Sequence, residues 1–137
     1  MAQATLVEKQ INDGLRLIHR LAEKDIPVAA AGWVKEIESG QWFLYLATSL
    51  VGEDGATRPA YRRVNNVIRE MQKNGFWIDP LEIKVIAPHD PIAKDMLAQR
   101  GAYYASFPAR FNGSRLGDLA VDEAYIYPPT ADKPRIV

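Results

Sequence analysis

Arg58, Arg62, Arg63, Arg69 and Lys73 stand close together against a single acid, Glu70, in a chain whose seventeen Lys and Arg balance seventeen Asp and Glu. Such a cluster can hold phosphates or carboxylates, the guanidinium through paired N–H donors and the ammonium as a point charge. The balanced total leaves no overall field to draw the molecule onto nucleic acid or an anionic membrane, so any such binding must come from a local patch of this kind. Arg110 and Arg115, either side of Asn112-Gly113, extend the patch if the fold brings them near.

A second group is aromatic. Trp33, Trp42, Phe43, Tyr45, Tyr125 and Tyr127 all fall on stretches with strand character, and a sheet face turned away from the helices would present several of them as a stacking or ligand-binding platform. Aromatic residues also pack well on any half-buried pleated surface, so the same pattern describes an ordinary core. The paired aromatic signatures of RNA-recognition domains do not occur in the chain.

The third candidate is Pro88-His89-Asp90, which places His89 between a strand and a helix N-terminus. One histidine does not make a site. His19, the other one, falls on the polar side of the first helix near Asn12 and Glu23, and no nitrogen or carboxylate completes a metal-ligand spacing. The chain has no cysteine, which excludes disulfides and thiolate catalysis and fits a reducing compartment. No serine stands in a Gly-x-Ser-x-Gly elbow, and Gly113-Ser114-Arg115-Leu116-Gly117 lacks the lysine and the following helix of a phosphate loop. No catalytic residue, metal or cofactor is therefore assigned.

These residues need elements to position them. From Ala4 to Lys24, Val7, Ile11, Leu15, Ile18 and Ala22 recur at helical spacing, and Leu6, Gly14, Leu17 and Leu21 widen the stripe to half the helix circumference. A face that broad packs across a sheet, and its edge near Leu6 and Leu17 could continue into a dimer interface. Gly14 within the stripe implies close backbone approach, since it otherwise costs the helix about 1 kcal/mol. Val28 to Glu38 and Gln41 to Val51 read as strands joined at Ser39-Gly40, with Trp33 facing Leu46, Lys35 facing Leu44 and Ile37 facing Trp42. Thr57 to Asn74 reads as a second helix ended by Gly75, Leu81 to Ala87 as a strand, and Asp90-Pro91 as the cap of a third helix through Arg100. Asn112-Gly113 marks a hairpin turn, and Leu119 to Tyr127 supplies further strand.

The 137 residues suffice for one core. The expected fold is a single α+β domain over residues 1–127, ordered α-β-β-α-β-α-β-β, with a mainly antiparallel sheet and three helices packed largely on one face. A proline-containing, extended tail follows at 128–137. The chain shows neither a leader pattern nor the ~18 apolar residues that span a bilayer, so a cytoplasmic protein with no membrane partner is expected. The expected function is a non-enzymatic binding or interaction domain that pairs with itself or with another protein. One alternative is a nucleic-acid binder using helix 58–73; another is a small-molecule binder or enzyme with a pocket where His89 or Arg115 meets Trp33 or Trp42.

Overall fold

The computed structural model describes residues 6, 8–52, 54–76, 78–101 and 109–128, excluding the side chains of 99–101 and 109–114. The tail from 129 onward and the side chain of Arg110 lie outside the described residues.

The elements run α1 (Glu8–Glu23), β1 (Ala30–Glu36), β2 (Trp42–Ala47), α2 (Arg58–Gln72), a single 3-10 turn (Pro80–Glu82), β3 (Ile83–Ile86), α3 (Pro91–Gly101), β4 (Ala109–Leu116) and β5 (Leu119–Ile126). This is the expected α+β order. The strands form one mixed sheet in the order β3-β2-β1-β5-β4, antiparallel throughout except where β3 lies parallel to β2. That parallel pair requires a crossover, and α2 supplies it.

Two helices share one face of the sheet. Leu17, Ile18 and Leu21 of α1 and Val64, Ile68 and Met71 of α2 pack with Trp33, Trp42, Leu44, Leu46, Ile83 and Val85. The buried stripe of α1 centres on Leu17 and Leu21, and Ala22, at the far edge of the expected stripe, is exposed. Leu6 and Leu17 are covered by the chain itself, so the edge offered for a dimer interface belongs to the core. The third helix lies on the other face, where Ala93 and Met96 meet Ala30, Val34, Ala47, Val121, Ala124 and Ile126.

Gly14 shows why α1 can come so close. A Cβ there would stand 2.2 Å from Tyr127 Oη and 3.0 Å from Trp33 Nε1. Trp33 Nε1 donates to Tyr127 Oη at 3.0 Å, and Tyr127 Oη donates to the Ile11 carbonyl at 2.6 Å. Helix, β1 and the end of β5 are thus tied through a gap that only hydrogen fills.

Both hairpins differ from the expected ones. The β1–β2 loop holds four residues, 37–40, closed by Glu36 N–H to Gln41 O at 3.0 Å and Gly40 N–H to Glu36 O at 2.8 Å. Lys35 consequently opposes Trp42, and Trp33 opposes Leu44. The slip is two residues, an even number, so every side chain keeps its expected face. Asn112-Gly113 does not turn: it runs inside β4, and the reversal comes at Gly117-Asp118, with Leu116 opposite Leu119. Gly117 has φ +61°, as a primed turn demands of its first central residue. Its N–H donates to Asp95 Oδ2 at 2.7 Å, and the contact with α3 at Pro91 leaves no room for a Cβ. That tertiary fit places the turn five residues later than local propensity does. Leu81 and Glu82, expected in a strand, form the 3-10 turn capped by Asp79, whose side chain accepts from Leu81 N–H at 2.8 Å.

Candidate functional site

The tyrosine hydroxyl of Tyr61 on α2 accepts the Val85 N–H of β3 at 2.9 Å, while α1 is anchored to β1 and β5 through Gly14 and Ile11. The two helices therefore lie side by side, and a groove runs between them on the outer surface. One hollow of about 330 Å³ is lined by Arg16, His19, Arg20, Glu23, Glu70 and Met71, among others. A second, of about 230 Å³, is lined by Lys24, Ile26, Arg63, Asn66, Val67 and Glu70.

Glu70 belongs to both hollows and accepts from Arg20 Nη2 at 3.0 Å, with Lys24 Nζ at 3.8 Å. The hydrogen bond from Arg20, followed by the charge of Lys24, holds its carboxyl below the usual carboxylate range. Arg20 donates its other arm, Nη1, to Glu23 Oε1 at 2.8 Å. Arg63 Nη2 donates to the Lys24 carbonyl at 3.3 Å, closing the C-terminal end of α1. These pairs sit in solvent, with Arg20 37% and Glu70 47% exposed, so they contribute little to stability and exchange readily.

Arg62, Arg69 and Lys73 are all exposed on α2, and Arg69 Nη1 reaches only Asn66 Oδ1 of its own helix, at 3.4 Å. Arg58 and Arg62 form no ion pair among the described residues. Arg115 is exposed but sits on β4, at the opposite sheet edge from β3, to which α2 is tied. Four strand spacings, roughly 19 Å, separate those edges, so Arg115 does not extend the α2 cluster.

Of the strand aromatics, Trp33, Trp42, Tyr45 and Tyr127 are buried, while Phe43 and Tyr125 are partly buried. Trp33 and Trp42 face α1 and α2 in the core, and Tyr45 is buried on the α3 side, so they form no platform. Trp42 Nε1 has no hydrogen-bond partner among the described residues. His89 is exposed in the loop after β3, and Asp90 beside it accepts the Ile92 N–H at 2.8 Å as a helix cap. The pocket pairing His89 or Arg115 with a tryptophan is not assembled, because both tryptophans are buried and both polar residues are exposed. Among the described residues no three His, Cys, Asp or Glu side chains converge as a metal site.

A polar cluster that the sequence reading missed spans β1, β2 and β3. Glu36 Oε2 accepts from Tyr45 Oη at 2.6 Å and from Lys84 Nζ at 2.8 Å, and the ammonium also lies 4.1 Å from the centre of the Phe43 ring. Glu36 is 8% exposed and Tyr45 4%. Burial, then the hydrogen bond to Glu36, pushes the Tyr45 hydroxyl well above the ordinary phenol range. A tyrosine held this firmly neutral is a poor base, and the carboxylate is already engaged twice. The cluster works as a buried clamp between strands.

Among the described residues the exposed large apolar side chains are Ile37, Leu81 and Leu97. Ile37 and Leu81 lie at the end of the sheet where β2 begins, and Leu97 lies on α3, so they form no continuous patch of interface size. No helix among the described residues is long and apolar enough to cross a membrane. Compared with known protein families, curated proteins and solved structures, the chain has no significant match.

Proposed function

We propose that this chain is a non-enzymatic, cytoplasmic binding domain that docks an acidic segment of another protein on the outer face of α1 and α2. The observation that carries the reading is the distribution of charge. Residues 8–25 and 58–73 hold nine Lys or Arg against five Asp or Glu, while the rest of the chain holds eight against twelve. A neutral molecule thus turns a positive layer outward, and such a layer steers and orients an anionic partner. Glu23 and Glu70 interrupt the cations along the groove. A flexible acidic peptide can place its carboxylates around those interruptions, which the fixed phosphate spacing of a duplex does not allow. Trp33, Trp42, Tyr45 and Tyr127, which would have to stack on bases from the sheet, are in the core.

The test is fluorescence anisotropy with a labelled decaglutamate peptide and, in parallel, a short DNA duplex, each over a salt series. Salt-sensitive binding of the peptide that falls about tenfold or more in the Arg62→Glu, Arg69→Glu double variant supports the reading. Preference for the duplex moves the contact to nucleic acid. Absence of binding to either probe overturns it.

A further inference from the structure

Glu70 is the only acid of α2, and the fold places it on the wall shared by both groove hollows, against cations of the neighbouring helix. We propose that Glu70 is a built-in competitor for the acidic partner: its carboxylate occupies, between Arg20 and Lys24, the position that a partner carboxylate takes on binding. The inference rests on the reading of the outer face as a site for an acidic segment, and it adds how that site is regulated.

Three features support it. The Glu70–Arg20 pair joins two helices, yet both partners are over a third exposed, so displacing Glu70 abandons an interaction that water and salt already weaken. Arg20 retains one acceptor when Glu70 leaves, because its Nη1 arm pairs separately with Glu23. A hollow opens on each side of Glu70, giving an incoming side chain access to Arg20 from one and to Lys24 and Arg63 from the other. The same cations that lower the Glu70 carboxyl's proton affinity would hold a partner's carboxylate in its ionised form.

The experiment compares decaglutamate binding by the unmodified chain, Glu70→Gln and Glu8→Gln at low salt, with circular dichroism confirming the fold of each. Glu8 lies exposed in the first turn of α1, so its variant reports the general effect of removing one negative charge. Glu70→Gln is expected to tighten binding about fivefold, and Glu8→Gln by less than about twofold. Arg20→Gln is expected to weaken binding, and adding Glu70→Gln to it to restore none of the loss. If the unmodified chain binds but Glu70→Gln gains no more than Glu8→Gln, or loses affinity, the competitor role is overturned and the docking reading stands. If neither the unmodified chain nor Glu70→Gln binds, the docking reading falls and the inference with it.

Discussion

Beneath α1 and α2 the sheet presents Trp33, Trp42, Leu44 and Leu46, whereas beneath α3 it presents Ala30, Val34, Ala47 and Ala124. The polar groups divide the other way. On the two-helix side the ion pairs of Arg20, Glu23, Lys24 and Glu70 lie outside the core in solvent; on the α3 side Glu36, Tyr45 and Lys84 meet within the sheet itself. Large apolar side chains, with the hydrogen bonds of Tyr61 and Tyr127, hold the two helices, and the exposed pairs of Arg20, Glu23, Lys24 and Glu70 add little, which leaves those surface charges available to a partner. The α3 face, where Tyr45, Val121 and Ile126 lie among the alanines, carries its charge pair where β1, β2 and β3 meet.

The sharpest way to break this contrast is through the core. Trp33→Ala should cost about 4 kcal/mol, and Met96→Ala on the α3 side about 2 kcal/mol, in urea denaturation; equal costs would remove the asymmetry. Next, Lys84→Met leaves the buried Glu36 with Tyr45 alone; because the Lys84 side chain is 39% exposed, the cost should be about 1 to 2 kcal/mol, much of which the double change Glu36→Met, Lys84→Met recovers. Glu70→Gln, measured the same way, should leave the urea midpoint nearly unchanged.

A further effect appears only at alkaline pH. Burial raises the hydroxyl pKa of Tyr45 on one face and Tyr127 on the other, so above about pH 10 the unfolded chain releases protons that the folded chain retains. Each tyrosine therefore subtracts up to about 1.4 kcal/mol per pH unit from stability above that point, and none below it. Tyr45→Phe and Tyr127→Phe should each flatten the alkaline fall in the unfolding midpoint; an unchanged slope would show that the hydroxyls open to solvent before the fold is lost.

What the sequence conveyed follows from the range of each interaction. The helix stripes, the α2 face from Val64 to Met71, the Asp90 cap and the tight approach at Gly14 are visible because periodicity and helix-end chemistry are local. The β1–β2 register slipped because Ser39-Gly40 allows a two-residue turn that the actual four-residue loop does not use. The Asn112-Gly113 turn was overridden by Gly117, whose contacts with Asp95 and Pro91 no local pattern reveals. The placement of α3 on the opposite face was hidden because that helix has almost no amphipathic pattern. The cations of α2 could be read directly, but their counterparts on α1 could not: Arg20 and Glu70 are fifty residues apart in sequence. Glu36 and Lys84 are separated almost as far, and the one available hint was a charged residue alternating with Ile83 and Val85.

The position of β1 has a consequence for how the molecule is made. One neighbour, β2, follows it after five residues; the other, β5, is the last strand among the described residues. As synthesis proceeds from the N-terminus, α1, β1, β2, α2 and β3 can close the larger core among themselves, while the far flank of β1 keeps its backbone donors and acceptors open. A nascent chain stopped after α3 carries that flank as an unpaired apolar edge, the form most prone to join another chain. Arrival of β5 seals it, so the final strand acts as the stopper of the sheet as well as part of it.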